Sequence, residues 1–136
     1  MKTRETSQRA LQGRRILVVD DNRDAADSLG MMLRYAGAEV RVVYDGAGAL
    51  DAMPECLPDV VLLDIGMPLI NGCELARRIR EDPIHETVLL VALTGWSQAA
   101  DRLRSHEAGI DHHLVKPVNF AVLRDLLVRA PAPNPT

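Results

Sequence analysis

Aromatic residues are scarce in this chain of 136 residues, which has one tryptophan, one phenylalanine and two tyrosines. Its core must therefore be built from aliphatic side chains, and its length suits one domain with a sizeable core. No apolar run approaches the roughly 20 residues that a membrane-spanning helix needs. The basic N-terminus lacks the apolar segment of a secretory signal. We therefore expect a cytoplasmic protein with no direct membrane contact.

Cysteine is also rare, and the charge is only mildly acidic. The two cysteines, Cys56 and Cys73, form neither a CxxC motif nor a series with metal-ligand spacing, which favours reduced thiols in a cytosolic protein. The formal net charge is -3, and the arginines are spread along the chain instead of forming one basic run. Composition thus gives no electrostatic reason to expect nucleic-acid binding, and we predict none.

Short apolar runs alternate with segments of helical periodicity along most of the chain. Strands are predicted over residues 15–19, 39–44, 59–63, 87–93 and 111–115. Helices are predicted over residues 22–35, 47–53, 71–80, 97–107 and 119–129. This alternation requires right-handed crossovers. It predicts a doubly wound α/β fold of the flavodoxin type, with five helices and a five-stranded parallel sheet in the order 2-1-3-4-5.

Both ends of the chain lie outside the predicted domain, which covers residues 14–130. Residues 1–13 are polar and lack periodicity, so they are predicted to form a flexible tail or linker. The proline-rich residues 131–136 cannot continue the last helix and are predicted to be a C-terminal tail.

Several conspicuous side chains have ordinary structural explanations. Met31 and Met32 are expected in the core. His112 and His113 are adjacent on a predicted strand and would point to opposite faces, so they are a poor pair of metal ligands. The arginines of the third predicted helix are expected on a solvated face: Arg77, Arg78 and Arg80.

Polar residues stand at the ends of four of the five predicted strands. Asp20 and Asp21 follow the first, Asp64 the third, Thr94 the fourth and Lys116 the fifth. The carboxyl ends of parallel strands meet at one edge of the sheet, where ligands bind. Crowded carboxylates repel each other unless a cation neutralises them, and Mg²⁺ prefers carboxylates, water and phosphate oxygens. With an ammonium and a hydroxyl nearby, these groups suit a phosphoryl group carried on Asp64.

In this order, the motifs DD, D-x-x-M-P, T-G and K-P resemble those of response-regulator receiver domains, over about residues 14–129. The resemblance implies that Asp64 is the phosphoacceptor. It also implies that Asp20 and Asp21 bind Mg²⁺ together with Asp64 and the backbone carbonyl of Gly66.

The resemblance further assigns residues on the last two strands. Thr94 is the switch hydroxyl, and Lys116 pairs with phosphoryl oxygens, aimed inward by a peptide bond to Pro117 in the less common cis form. Where most receivers carry Tyr or Phe three residues before this lysine, the chain has His113. The usual coupling between the threonine and an aromatic ring is therefore lost here or uses an imidazole.

The two residues that follow Thr94 could affect how readily other molecules reach Asp64. Gly95 leaves space beside a phosphoryl group, and Trp96 is either a partly exposed loop aromatic or a gate for water and phosphodonors. The stretch from ALTGW to HHLVKPV resembles receivers of hybrid sensor histidine kinases more than those of DNA-binding regulators.

These observations predict a receiver domain of a two-component phosphorelay. It would accept a phosphoryl group from a phosphohistidine on a histidine kinase or a histidine phosphotransfer domain, and would switch conformation to regulate a partner. A weak homodimer is compatible with this function. We expect self-phosphorylation and autodephosphorylation but no turnover of an external substrate, and histidine kinase activity only within a larger hybrid kinase.

Two other classes are weighed against this prediction. An interaction module that is not phosphorylated is the main alternative, although every acceptor-site residue is present. A Mg²⁺-dependent aspartyl-phosphate phosphatase needs a second aspartate at the position of Gly66, which disfavours it. A dinucleotide-binding motif is weaker still, because Asp51 stands where its third glycine is needed.

Overall fold

The computed structural model describes residues 10–67, 69–95 and 106–129. The strands are β1 (Arg15–Val19), β2 (Glu39–Val43), β3 (Val60–Asp64), β4 (Leu89–Thr94) and β5 (His112–Val115). The helices in the described residues are α1 (Arg23–Tyr35), α2 (Gly46–Cys56), α3 (Gly72–Glu81) and α4 (Phe120–Arg129), with a 3₁₀ turn at Pro83–His85. None of these described helices is both long and apolar enough to cross a membrane.

All neighbouring strands are parallel, and the sheet has the order β2-β1-β3-β4-β5. This order confirms the predicted doubly wound fold. β3 lies at the centre, and all of its residues are buried, as expected for a strand that is covered on both faces. The carboxyl ends of β1 and β3 therefore lie side by side. The helix predicted over residues 97–107 falls mostly outside the described residues.

An apolar core lies on each face of the sheet. On one face, Leu33 of α1 and Leu123 of α4 pack against the alternate strand residues that include Leu62. On the other face, Met53 of α2 and Ile79 of α3 pack against the remaining strand residues. The two-residue period of the strands thus supplies both cores from the same apolar runs.

Helix α1 corrects the prediction for its methionines. Met31 and Met32 are 66% and 45% exposed, so the expectation that they lie in the core is wrong. The helical period turns Met31 away from the sheet and leaves Met32 at the margin. The face that α1 buries consists of Ala26, Gly30 and Leu33.

The packed domain also includes residues 10–13, which the sequence assigned to a flexible tail. Leu11 is fully buried, and its N–H donates to the carbonyl of Ala36 at 2.9 Å. Its side chain joins the core between the sheet and helices α1 and α4. The flexible tail was therefore predicted to extend too far toward the C-terminus. The sequence could not show this, because one leucine in a polar stretch gives no periodic pattern.

Helix α2 continues past its predicted end at residue 53 and contains Pro54. The fixed φ of proline is compatible with a helix, although the residue removes one backbone hydrogen bond and its ring crowds a carbonyl of the preceding turn. The helix is capped by Leu57, whose N–H donates to the carbonyl of Met53 at 3.0 Å. Helices α1, α2 and α3 each follow an N-cap residue whose side chain accepts a backbone N–H from the residue three positions on: Asn22, Asp45 and Asn71.

The prediction that Arg80 lies on a solvated face is wrong. Its guanidinium instead joins several segments at the amino ends of the strands. Its Nε and Nη2 atoms donate to the carbonyl of Gly109 at 3.1 and 2.9 Å. Its Nη1 atom donates to the carbonyl of Val88 at 2.8 Å and to two carbonyls of the preceding turn at 3.2 Å. Nη2 also pairs with Asp111 Oδ2 at 2.8 Å. We call these interactions the Arg80 clasp.

Gly72 allows helix α3 to start directly against the end of β3. A β-carbon at this position would lie 2.7 Å from the carbonyl oxygen of Asp64 and 2.8 Å from Cα of Ile65. Because these backbone atoms cannot rotate away, we expect Gly72→Ala to lower the free energy of unfolding by about 2 kcal/mol, a usual cost of overpacking. Urea denaturation measures the loss.

The matched control for this substitution is Gly66→Ala, in the same loop. A β-carbon there would have Asp64 Oδ1 as its nearest described neighbour, at an ordinary distance of 3.9 Å. We expect the control to change the free energy of unfolding by less than about 0.5 kcal/mol. Equal losses in both variants would contradict the close approach at Gly72.

Candidate functional site

Three carboxylates converge at the carboxyl ends of β1 and β3. Asp20, Asp21 and Asp64 each contribute one oxygen, and these oxygens lie within 4.8 Å of one another. Asp20 and Asp64 are 2% and 8% exposed, whereas Asp21 is exposed. The cluster is therefore held in the sheet on one side and reachable from solvent on the other. The structure brings together the three acids that the sequence singled out.

Lys116 lies between the two buried acids. Its Nζ atom is 3.1 Å from Asp20 Oδ2 and 3.4 Å from Asp64 Oδ1. The peptide bond to Pro117 is cis, the isomer that the resemblance implies. Burial by itself would lower the pKa of Lys116, but the hydrogen bond to Asp20 and the charges of both acids outweigh it, so the pKa is raised. The ammonium thus provides a fixed positive charge at neutral pH.

Backbone N–H groups orient the two buried carboxylates. The N–H of Asn22 donates to Asp20 Oδ1 at 3.0 Å, and the N–H of Gly66 donates to Asp64 Oδ1 at 3.1 Å. The side chain of Asn22 caps α1 by accepting the N–H of Ala25. Each carboxylate is therefore positioned by the loop that follows its own strand.

The other predicted site residues follow or lie on the neighbouring strands. Thr94 ends β4 and is buried, and Gly95 follows it. His113 lies within the edge strand β5, and its Nε2 atom is shielded from solvent, whereas His112 is exposed. Trp96 lies outside the described residues. The switching role of Thr94, the coupling through His113 and the effects of Gly95 and Trp96 on access to the site stay predictions.

Tyr44 contacts the beginning of helix α1, a role that the sequence did not reveal. Its hydroxyl donates to Asp27 Oδ1 at 2.6 Å, and the guanidinium of Arg23 stacks 4.3 Å from the ring centroid. The hydrogen bond to Asp27 raises the pKa of the Tyr44 hydroxyl. These contacts connect the first two turns of α1 to the end of β2. No local pattern links the tyrosine and the aspartate, which are 17 positions apart.

Together these groups form a set of hard oxygen donors beside a fixed cation. Three carboxylates and one ammonium leave net negative charge in the cluster. Carboxylate oxygens are the protein ligands that Mg²⁺ prefers, so the residues present fit a divalent cation. A carboxylate that is oriented by a backbone N–H and paired with an ammonium also has the surroundings of a phosphoryl acceptor.

The sequence matches the response regulator receiver domain family over residues 16–128. This match covers most of the chain, and the fold and the strand-end residues agree with it. The chain therefore belongs to the receiver-domain family of response regulators, as its four motifs predict.

Curated relatives include mycobacterial regulators. The transcriptional regulatory protein PrrA of Mycobacterium tuberculosis is 40% identical over 118 residues, which are 87% of this chain and 48% of PrrA. The DNA-binding response regulator MtrA of Mycobacterium leprae is 40% identical over 103 residues, which are 76% of this chain and 44% of MtrA. The chain thus spans about half the length of these relatives.

Solved structures with the same fold include a chemotaxis protein and the receiver domain of a histidine kinase. The chemotaxis protein CheY4 of Vibrio cholerae has a TM-score of 0.82 and 27% identity, covering 86% of this chain and 98% of CheY4. The receiver domain of a signal transduction histidine kinase from Syntrophus aciditrophicus has a TM-score of 0.79 and 30% identity, covering 87% and 89%. The expected closer likeness to hybrid-kinase receivers is not confirmed, since PrrA and MtrA are regulators.

Proposed function

We propose that this receiver domain accepts a phosphoryl group on Asp64 in a two-component phosphorelay and regulates a partner by changing conformation. The observation that carries the proposal is the environment of one oxygen. Asp64 Oδ1 receives the N–H of Gly66 at 3.1 Å and lies 3.4 Å from the Lys116 ammonium, beside Asp20 and Asp21. This arrangement supports an acceptor more than a structural acid, because a structural acid needs no neighbouring carboxylates.

The donor in this proposal is a phosphohistidine of a histidine kinase or of a histidine phosphotransfer domain. A carboxylate oxygen of Asp64 attacks phosphorus, the phosphorus–nitrogen bond breaks, and the leaving imidazole takes up a proton. Lys116 then contacts a phosphoryl oxygen, and the hydroxyl of Thr94 donates to another. Asp20, Asp21 and Asp64 would hold Mg²⁺ with the carbonyl of Gly66, and the bound ion would neutralise charge on the carboxylates and the phosphoryl oxygens.

Phosphorylation adds a charge of roughly −2 at the carboxyl end of β3. Thr94 ends β4 and Lys116 directly follows β5, so their movement toward this charge changes the surroundings of both strands. We propose that the surface formed by β5 and α4 thereby changes its population between two states, and that a partner recognises one of them.

Beryllofluoride, a phosphoryl mimic, tests this proposal together with Mg²⁺. We expect amide chemical shifts to change around Asp64 and Thr94 and to extend into β5 and α4. If no shifts change, and no phosphate is transferred from phosphoramidate or from a phosphohistidine protein, the chain is an interaction module without phosphorylation. Sustained hydrolysis of a phosphomonoester would instead favour the phosphatase.

Magnesium is expected to stabilise the folded domain. An ion that binds only the folded state, at ten times its dissociation constant, adds about 1.4 kcal/mol to the free energy of unfolding. We therefore expect the melting temperature to rise by about 4–6 °C, because 1 kcal/mol corresponds to about 3–4 °C in a domain of this size. A thermal unfolding titration with MgCl₂ measures the rise.

The control for this titration separates the acid cluster from general charge effects. Asp21→Asn removes one exposed carboxylate of the cluster and should remove most of the rise. Asp51→Asn makes the same change in charge at an exposed position of α2 and should leave the rise intact. The same rise in both variants would mean that the ion binds elsewhere.

A further inference from the structure

Two residues other than glycine have a left-handed backbone among those that the structure describes, Leu57 with φ 44° and Leu69 with φ 66°. This conformation is costly for a residue with a β-carbon and favours glycine or asparagine. Leu57 has a reason within the fold, because its N–H ends α2 on the carbonyl of Met53 and its side chain is partly covered. Leu69 is fully exposed, so the fold gains no burial from a leucine there.

The loop that carries Leu69 is fixed on both sides. Met67, two residues earlier, is buried, and Ile70, one residue later, packs against the core that α2 and α3 cover. The N–H of Gly72 donates to the carbonyl of Ile65 at 3.2 Å and closes the loop. The leucine side chain is therefore displayed outward by a segment whose neighbours are held in place.

We propose that Leu69 is an apolar contact through which a protein phosphodonor docks over Asp64. This inference rests on the proposed function. Leu69 lies in the loop that follows Asp64, so a protein that brings a phosphohistidine to Asp64 must approach this loop. A fully exposed leucine loses contact with water when it packs against an apolar surface of that protein, which favours binding. A small-molecule donor offers no such surface.

The test compares a protein donor with a small one on the variant Leu69→Asn. The small donor is phosphoramidate. The protein donor is a purified histidine phosphotransfer domain carrying phosphohistidine, chosen from a panel as the one that transfers fastest to the unaltered chain. We expect transfer from the protein donor to fall about tenfold, the effect of one lost interface contact. Phosphorylation by phosphoramidate should stay unchanged, and the melting temperature should not fall, because asparagine tolerates a left-handed backbone.

Leu57→Asn is the matched control, since it makes the same substitution in the same backbone region at the opposite end of the sheet. Its transfer rates should equal those of the unaltered chain. The inference is overturned if Leu69→Asn accepts phosphate from the protein donor at an unchanged rate, or if its transfer slows equally with both donors. It is also overturned if phosphoramidate phosphorylates the unaltered chain and no protein donor does. A change in oligomeric state with unchanged transfer would assign Leu69 to a contact between copies. An unaltered chain that accepts phosphate from neither donor would refute the proposed function itself.

Discussion

Replacing Asp64 with asparagine is expected to abolish phosphorylation of the chain. The amide has nearly the shape of the carboxylate but is not a nucleophile toward phosphorus, so no acyl phosphate can form. The amide oxygen can still accept the N–H of Gly66, which now donates to Asp64 Oδ1 at 3.1 Å. The loss should therefore be complete while the loop keeps its position.

Stability should not fall in this variant, because the substitution also relieves repulsion between carboxylates that lie within 4.8 Å. Intact-protein mass spectrometry after incubation with phosphoramidate and Mg²⁺ measures the bound phosphate. Asp51→Asn controls for the change in charge and should be phosphorylated at the normal rate. Phosphate that remains on Asp64→Asn would identify another acceptor and remove the basis of the proposed function.

Replacing Arg80 with alanine is expected to cost about 3 kcal/mol of the free energy of unfolding, which is within the range for breaking a partly buried charged network. The substitution leaves the carbonyls of Gly109 and Val88 without the guanidinium that they accept from at 2.8–3.1 Å. It also removes the cation that pairs with Asp111. Because Asp111 is partly exposed, water can solvate its carboxylate, and we place the loss at the lower end of the range.

Urea denaturation measures this loss, and two further variants serve as controls. Arg78→Ala removes an exposed arginine of the same helix that pairs with Glu74, and it should cost less than about 1 kcal/mol. Arg80→Lys keeps the charge but not the planar fork, so most of the loss should remain. Phosphorylation by phosphoramidate, measured well below the melting temperature, should be unchanged in Arg80→Ala. Similar losses in Arg78→Ala and Arg80→Ala would show that the Arg80 clasp stabilises the fold no more than an ordinary surface ion pair does.

The strand order and the acid cluster were predictable because both depend on short-range patterns. The apolar run before Asp64 identifies a central strand, and the alternation of strands and helices leaves few topologies open. In such a sheet, residues that directly follow parallel strands must meet at one edge. Asp20 and Lys116 could thus be placed together although they are 96 positions apart.

The Arg80 clasp was not predictable in the same way. Arg80 stands in a helix with two other arginines, and its partner Asp111 is 31 positions away without a strand-end rule to connect them. Leu11 is a single apolar residue in a polar stretch, so periodicity cannot detect its burial. Met31 and Met32 are apolar but exposed, because hydrophobicity alone does not determine which side of α1 faces the sheet.

The clasp and the acid cluster occupy opposite ends of the sheet, and this separation bears on how such a domain evolves. Residues that hold the scaffold together lie where no phosphodonor needs to approach, while the loops around Asp64 contribute little to the clasp. Substitutions at exposed positions of those loops can accumulate without loosening the framework. A lineage can therefore exchange one signalling partner for another while it inherits the same scaffold.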